Sequence, residues 1–406
     1  MQSTLFVLFI LMFVQPGAEQ EGDTWIVTHP DRNLSDEPAY AEISADRFTG
    51  NSVCLAIESV ENADGQGTVG SRIPAQIELI DRDHARLWWV VNQAAGETVR
   101  YRLVPNDECV SEGFSWQDTG ERSSRLVRNG QPVIQYEYPV YDPEDVPHTK
   151  KPFHHVFDPA GTRKITKGPG GLYSHHQGIY LGYYVYLDGS DELIDIWHAR
   201  DGERSEHNRI LEQFEGPVYG GHQVRIDWKD HESNVFIDEK REIRVFHQSD
   251  GEWLIDVRSE LTALRNHVKL GGDRHHAGLQ FRAAQYVADH SETTRFIRPD
   301  DRMHVTADAE LGDEHNLDYP WNAMFFEIEG QTYTVAYMSH PDNPDGAEMS
   351  ERLYGRFGEF TPYELNRGES LTLSYRFWVK EGERPDQAAI HQRYEVLASP
   401  PSVMPE

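Results

Sequence analysis

Short apolar or alternating runs, each closed by Gly, Asp, Asn or Pro, recur through most of this chain, and a helical period is almost absent. That rhythm restricts the fold more than any other feature. Side chains that alternate at every second residue suit a half-buried strand and cannot line one face of a helix. Ile73-Pro74-Ala75-Gln76-Ile77-Glu78-Leu79 alternates in this way, whereas Arg86-Leu87-Trp88-Trp89-Val90-Val91 is more continuously apolar and reads as a core strand. Ala95-Gly96-Glu97 supplies a turn before the next strand. Strands are expected again at Val133 to Tyr138, Gly178 to Tyr186, Gly220 to Asp227, Glu242 to His247, Glu252 to Ala263, Gly278 to Ala284, Ala323 to Ile328, Tyr333 to Met338 and Leu371 to Val379. Pro385 to Leu397 is the best helix candidate, with Ala388, Ile390 and Tyr394 on one face.

The fold class is therefore all-β: a large antiparallel β-sandwich preceded by a small β-sandwich module. The expected division is a signal peptide over 1–18, a polar lead-in over 19–38, the small module over 39–129, the large sandwich with its C-terminal helix over 130–397, and a tail over 398–406. With 19 Tyr, 17 Phe and 9 Trp, the chain has enough bulk for real cores and is too aromatic to be disordered.

The apolar run Leu5 to Val14 is too short to span a bilayer and fits the central part of a secretory signal, with Ala18 as a cleavage point. The run lacks the usual Lys or Arg before it. No later segment is apolar enough to cross a membrane, so the mature chain is expected to be secreted or periplasmic. Export leaves Cys54 and Cys109 as one disulfide or as two separate buried thiols. A net charge of −30 argues against nucleic acid and anionic lipid as partners, because counterion release rewards a basic surface.

Histidine carries the chemical signal. Doublets occur at His154-His155, His175-His176 and His275-His276, amid glycine and aromatics. Imidazole moves protons or binds metals near neutral pH. Within a strand only one member of a doublet can face a given pocket, whereas in a loop both can. Gly178 after the second doublet would let backbone approach a ligand.

Several segments resemble a family of exported bacterial proteins called PmoA-like, a domain of unknown function. These are Pro152-Phe153-His154-His155-Val156 with Asp158-Pro159-Ala160-Gly161-Thr162, His175-His176-Gln177-Gly178, Asp195-Ile196-Trp197, Gly278-Leu279-Gln280-Phe281-Arg282, and Ser339-His340-Pro341-Asp342-Asn343-Pro344. The resemblance runs from about Gln131 to Leu397. The family pattern usually has His-His-Arg-Gly where this chain has Gln177, so an acid-binding contact by that arginine is missing here. The name suggests a membrane methane oxygenase, an activity that a chain without membrane-spanning helices does not support. The resemblance implies a β-sandwich with a role in carbohydrate degradation, by analogy alone.

Three chemistries fit these residues. In the first, a divalent metal is held by His154, His175 and His222, with Asp195 or Asp273 completing the shell; no diagnostic ligand spacing is present. In the second, His175, His176, His275 and His276 act as general acids and bases on a glycan or sugar derivative, by hydrolysis, elimination or isomerisation. His154, Arg274, Arg282, Tyr184, Trp197, Asn322 and His340 would then bind the carbohydrate or other small-molecule ligand, the arginines serving an acidic group. In the third, the rings merely hold sugar, or the protein is an envelope scaffold in which they pack and satisfy loops. Convergence of the imidazoles in space separates the second reading from the third.

Overall fold

The computed structural model describes residues 24–45, 52–59, 69–104, 112–249, 251–273, 275–299 and 316–406, with 52–59 and 69–71 described by backbone alone. The signal segment, Cys109 and the side chain of Cys54 lie outside the described residues, as does Arg274.

The fold is all-β with large antiparallel sheets, as the alternation requires. Two eight-stranded sheets form the sandwich. The front sheet runs, in spatial order, Glu348–Arg352, Arg356–Phe360, Gly278–Arg282, Ile179–Gly182, Phe153–Val156, Gln131–Glu137, Ser123–Arg128 and Phe114–Gly120. The rear sheet runs Arg204–Phe214, Tyr219–Lys229, Val235–His247, Trp253–Ala263, Ser370–Glu381, Gln331–Ser339, Trp321–Ile328 and Arg295–Ile297. Alternation sends Ile134, Val156, Ile179, Leu181, Leu279 and Phe281 inward from the front sheet. They meet Val224, Ile243, Val257, Val335 and Phe377 from the rear sheet in one apolar core. A four-stranded sheet, Ile194–Asp195, Tyr184–Tyr186, Val268–Gly271 and Tyr363–Leu365, adjoins them.

The N-terminal module differs from the expected sandwich. It is a single seven-stranded sheet, ordered Leu34–Ser44, His84–Gln93, Val69–Leu79, Ser52–Ser59, Thr98–Val104, Thr24–Thr28 and Ser402–Pro405. It curls so that its two edge strands approach each other around Trp25, Val27, Leu87, Trp89 and Tyr101. The lead-in thus contributes Thr24–Thr28 and the start of Leu34–Ser44, and the tail contributes Ser402–Pro405; strands of four or five residues are too short to show a period. Phe114–Gly120 and Ser123–Arg128 belong to the front sheet, so the large domain begins earlier than residue 130.

The outer face of the rear sheet is covered by this module and by the helix Gln387–Ala398, capped by Asp386. Trp89 fills the module core, while its neighbour Trp88 packs on Tyr219 and Phe246 of the rear sheet. Arg244 pairs with Glu78 across this junction and Arg376 with Glu37. The outer face of the front sheet carries no such layer. It is covered instead by loops, and there the histidines gather.

Candidate functional site

Register decides which front-sheet residues point outward. Tyr180 stands opposite Gln280, and Gln280 opposite Gly358. In the next outward row Arg282 stands opposite Arg356, which stands opposite Arg352. Their neighbours Ile179, Leu181, Leu279 and Phe281 face the core. Tyr180, Gln280, Arg282 and Arg356 are nonetheless fully buried, because the loops bearing Tyr173–Gln177 and Trp197–His198 lie over them.

Four imidazoles from three separate segments meet in this cover. The ring centroids of His175 and His176 are 4.2 Å apart, those of His175 and His198 4.4 Å, and those of His198 and His276 5.2 Å. The second doublet sits in a turn, so both members join the cluster, as a loop permits. Trp197 touches His176 and Tyr180 from beneath, and Tyr184 lies parallel to His276 at 6.1 Å. Tyr173 and Tyr354 close another side against His176.

Two of the four rings are oriented by carboxylates. His198 Nδ1 lies 2.7 Å from Asp195 Oδ2, and the His198 backbone N–H donates to Asp195 Oδ1 at 2.8 Å. His276 Nδ1 lies 3.0 Å from Asp273 Oδ1. A carboxylate at Nδ1 fixes the N–H there and leaves the Nε2 lone pair outward. Nε2 of each ring has no hydrogen-bond partner among the described residues. Burial works to raise the Asp195 carboxyl, but the bonds from His198 outweigh it and hold Asp195 below its ordinary value. Asp195 therefore stays ionised.

The other two rings are held neutral. Burial first, then Lys151, His198 and Lys150, push His175 down; burial, then Arg356, His175 and Arg282, push His176 far down. Basic side chains surround the cluster in an otherwise acidic chain. Lys151 donates to the Trp197 carbonyl at 2.7 Å, with its ammonium over the Tyr180 ring, and burial drives its pKa well down. Burial also lowers Lys150 to about 8 and, with Arg282 and Lys150 nearby, Lys167 to about 7. Around these side chains, His176 Nδ1 and Nε2, Tyr180 Oη, Trp197 Nε1 and Arg282 Nε and Nη2 are buried without hydrogen-bond partners. Buried polar atoms are rarely left so. Six such atoms on four side chains lie together here, beside the imidazole cluster.

The expected site residues divide accordingly. His175, His176, His276, Tyr184, Trp197 and Arg282 come together. Trp197 has its ring packed against His176, Tyr180 and Arg356, so it supports the rings and leaves no face for sugar stacking. His275 flanks the cluster, with Nε2 3.1 Å from Arg352 Nη2, which occupies it as an acceptor. His154 and His222 lie elsewhere. Adjacent strand residues face opposite ways, so His154 points into the sandwich while His155 points out, and His154 Nε2 meets His222 Nε2 at 2.8 Å. The trio His154, His175 and His222 is thus split by the front sheet. Among the described residues no three His, Cys, Asp or Glu side chains form a group that could hold a metal ion.

Asn322 donates to Glu351, which also binds Arg298, in a separate buried network. His340 accepts from the Asp342 N–H and closes a local turn. Gln177 donates to the carbonyls of Pro147 and Ser174, so it ties loops and faces no ligand. Gly178, with φ +52°, sits where a Cβ would lie 2.0 Å from the His154 carbonyl oxygen. It permits a chain crossing and gives no ligand access.

Sequence reasoning overlooked His198, Lys151, Lys167, Tyr354 and Arg356. The signal available for His198 was the spacing Asp195-Ile196-Trp197-His198, matched by Asp273 and His276. A groove of about 990 Å³ beside the small sheet is lined by Tyr186, Asp188, Lys269, Glu364 and one imidazole, His267. None of its lining residues carries a buried, unpartnered polar atom.

Residues 123–395 match the model of a family of unknown function, DUF6807, and that stretch contains the whole cluster. No curated protein matches the chain.

Proposed function

Because the chain belongs to DUF6807, a family of unknown function, the cluster itself must carry the reading, and we propose that it is the active site of an exported enzyme that moves protons on a glycan or sugar derivative. The observation that carries this is the pair of carboxylate-oriented imidazoles, His198 and His276, brought to 5.2 Å from different loops. One ring acts as general base through Nε2 and the other as general acid, with Asp195 and Asp273 fixing their tautomers. Rings this close serve the same side of a substrate, which suits elimination or isomerisation. Hydrolysis by a carboxylate pair fits less well, since Asp195 and Asp273 are each committed to an imidazole and Asp195 stays ionised. His175 and His176 line the binding surface as neutral donors and acceptors, and the half-buried Tyr184 and exposed Tyr173 supply aromatic rims for sugar rings. The resemblance to PmoA-like exported proteins supports both export and a carbohydrate substrate.

The test is incubation of oligosaccharides, uronic-acid polymers and their monomers with the protein in deuterated water. Deuterium incorporation or product is read by NMR. His198→Gln and His276→Gln are each expected to reduce the rate by about 10²–10⁴-fold while sugar binding persists. Binding with no exchange and no product over long incubation would sink the catalytic reading and leave a glycan-binding protein.

A further inference from the structure

Arginine presents two parallel donors, Nε and Nη2, on one edge of its guanidinium, and that edge matches the two oxygens of a carboxylate. This chain uses it so repeatedly. Arg376 places Nε and Nη2 on the two oxygens of Asp256 at 2.6 and 2.9 Å, and Arg241 does the same with Glu239 at 2.7 and 3.1 Å. Arg298 grips Glu351 in the same fashion. Arg282 departs from this pattern. Its Nη1 donates to the backbone carbonyls of Ala283 and Tyr354, while Nε and Nη2 are both buried and unpartnered.

Its neighbours aggravate the departure. Arg356 stands directly opposite across the strands and is held by Gln280, Ser350 and Tyr354, all neutral. Like charges opposite one another destabilise a sheet, and a buried cation without a counter-charge is unfavourable. Both arginines are fully buried, and neither has a carboxylate salt-bridge partner among the described residues. Among the described residues Asp289 is the carboxylate that acts on Arg282, and it does so through space, its Oδ1 being taken by Gln285. The unpartnered Tyr180 hydroxyl and His176 nitrogens lie beside the same arginine.

We infer that the Nε–Nη2 edge of Arg282, backed by the charge of Arg356, receives the carboxylate of an acidic sugar, a uronic or aldonic acid. The inference rests on the cluster being a substrate site and names what the substrate carries. The acid end lies at Arg282. A chain of touching rings, Tyr354, His176 and His175, leads from it to His198 and His276.

Calorimetric titration of the full chain with glucuronate, galacturonate and gluconate, against glucose, galactose and glucose 6-phosphate, tests this. The carboxylated sugars are expected to bind at least 10-fold tighter than the neutral ones, and the preference should shrink with added salt. Arg282→Lys keeps the charge but loses the edge and should remove most of the preference, read at a temperature where the variant is fully folded. His198→Gln should leave it within about threefold. Equal affinity for neutral and acidic sugars, tighter binding of the phosphate, or no binding of any carboxylated sugar would each overturn the assignment. If Arg282→Lys does not fold, Tyr180→Phe and the wild-type preference still decide it. Deuterium exchange on a neutral sugar without uronate binding would leave the acid–base reading standing and remove this one. Uronate binding without exchange would do the reverse.

Discussion

Asp195 and Asp273 perform one task from unrelated places in the chain, and their surroundings make them unequal. Asp195 is largely buried and binds His198 through both ring and backbone, whereas Asp273 is about half exposed, with a relative side-chain accessibility of 45%. A hydrogen bond shielded from water fixes a tautomer more firmly. Asp195→Asn is therefore expected to cut exchange by about 100-fold with little change in substrate affinity, and Asp273→Asn to cut it several-fold less. Equal effects would argue against His198 as the better-oriented ring. At this scale the sequence exposed doublets but not partners. Asp-x-x-His occurs five times; Asp301–His304 lies outside the described residues, and Asp81–His84, Asp145–His148, Asp195–His198 and Asp273–His276 all form the same pair. Asp81–His84 and Asp145–His148 sit on exposed surface. Spacing therefore reveals the pair, and only the fold tells which pairs converge. Arg356 was hidden for a similar reason: among 38 Lys and Arg, nothing local distinguishes a buried arginine from a surface one.

Strands with a plain period were legible, and strands whose faces are both polar were not. Trp253–Ala263 alternates visibly around its buried residues, and of Val235–His247 the end from Glu242 onward was legible. Arg204–Phe214 is a charged edge strand, exposed along much of its length, and reads as loop. Arg356–Phe360 reads as a turn because glycines flank and interrupt it, yet all five of its residues are buried. The run from Gly178 to Tyr186 is two strands of different sheets, separated at Tyr183, whose ring enters the sandwich core beside Trp228. That break lets Tyr180 and Tyr184 reach the histidine cluster from different directions. Gly178 opens the first of these strands, its N–H donating to the Lys167 carbonyl. A side chain there meets both a left-handed backbone and the His154 carbonyl. Gly178→Ala is expected to destabilise the fold by roughly 2–4 kcal/mol, the sum of backbone strain and overpacking. Urea denaturation measures this, and a loss below about 1 kcal/mol would mean that the crossing is looser than described.

The whole molecule is a sandwich whose two outer faces have different uses, and its interior carries polar groups that tie stability to pH. The rear face is spent on the module and the C-terminal helix, and the front face on the loop-covered cluster. Inside, the His154–His222 pair packs against Tyr136 and Trp116, near the buried Glu239–Arg241 ion pair. One ring must donate and the other accept at this contact, so protonating the accepting Nε2 breaks it, and protonating the donor ring puts a charge in the core. Burial above all, reinforced by His207 and Arg241, lowers His222 to about 3. Burial, then His222 and Arg241, drives His154 well down, and burial with Lys164 lowers the outward His155 to about 3. An unfolded chain protonates all three as pH drops through about 6.5. Their contribution is thus complete above that pH and is lost as pH falls toward 3, at about 1.4 kcal/mol per pH unit for each ring. Glu359 opposes them. Burial between the sheets raises its carboxyl to about 7, so its contribution is complete below the ordinary carboxylate range and is lost as pH rises through 7. Glu359 offsets the slope of one imidazole, and the three above together with His175 and His176 outnumber it, so between pH 6 and 4.5 net stability should fall with acid. Urea unfolding at stepped pH measures the slope, and His222→Gln should flatten it by roughly 1.4 kcal/mol per unit. An unchanged slope in that variant would place the acid sensitivity outside the buried pair.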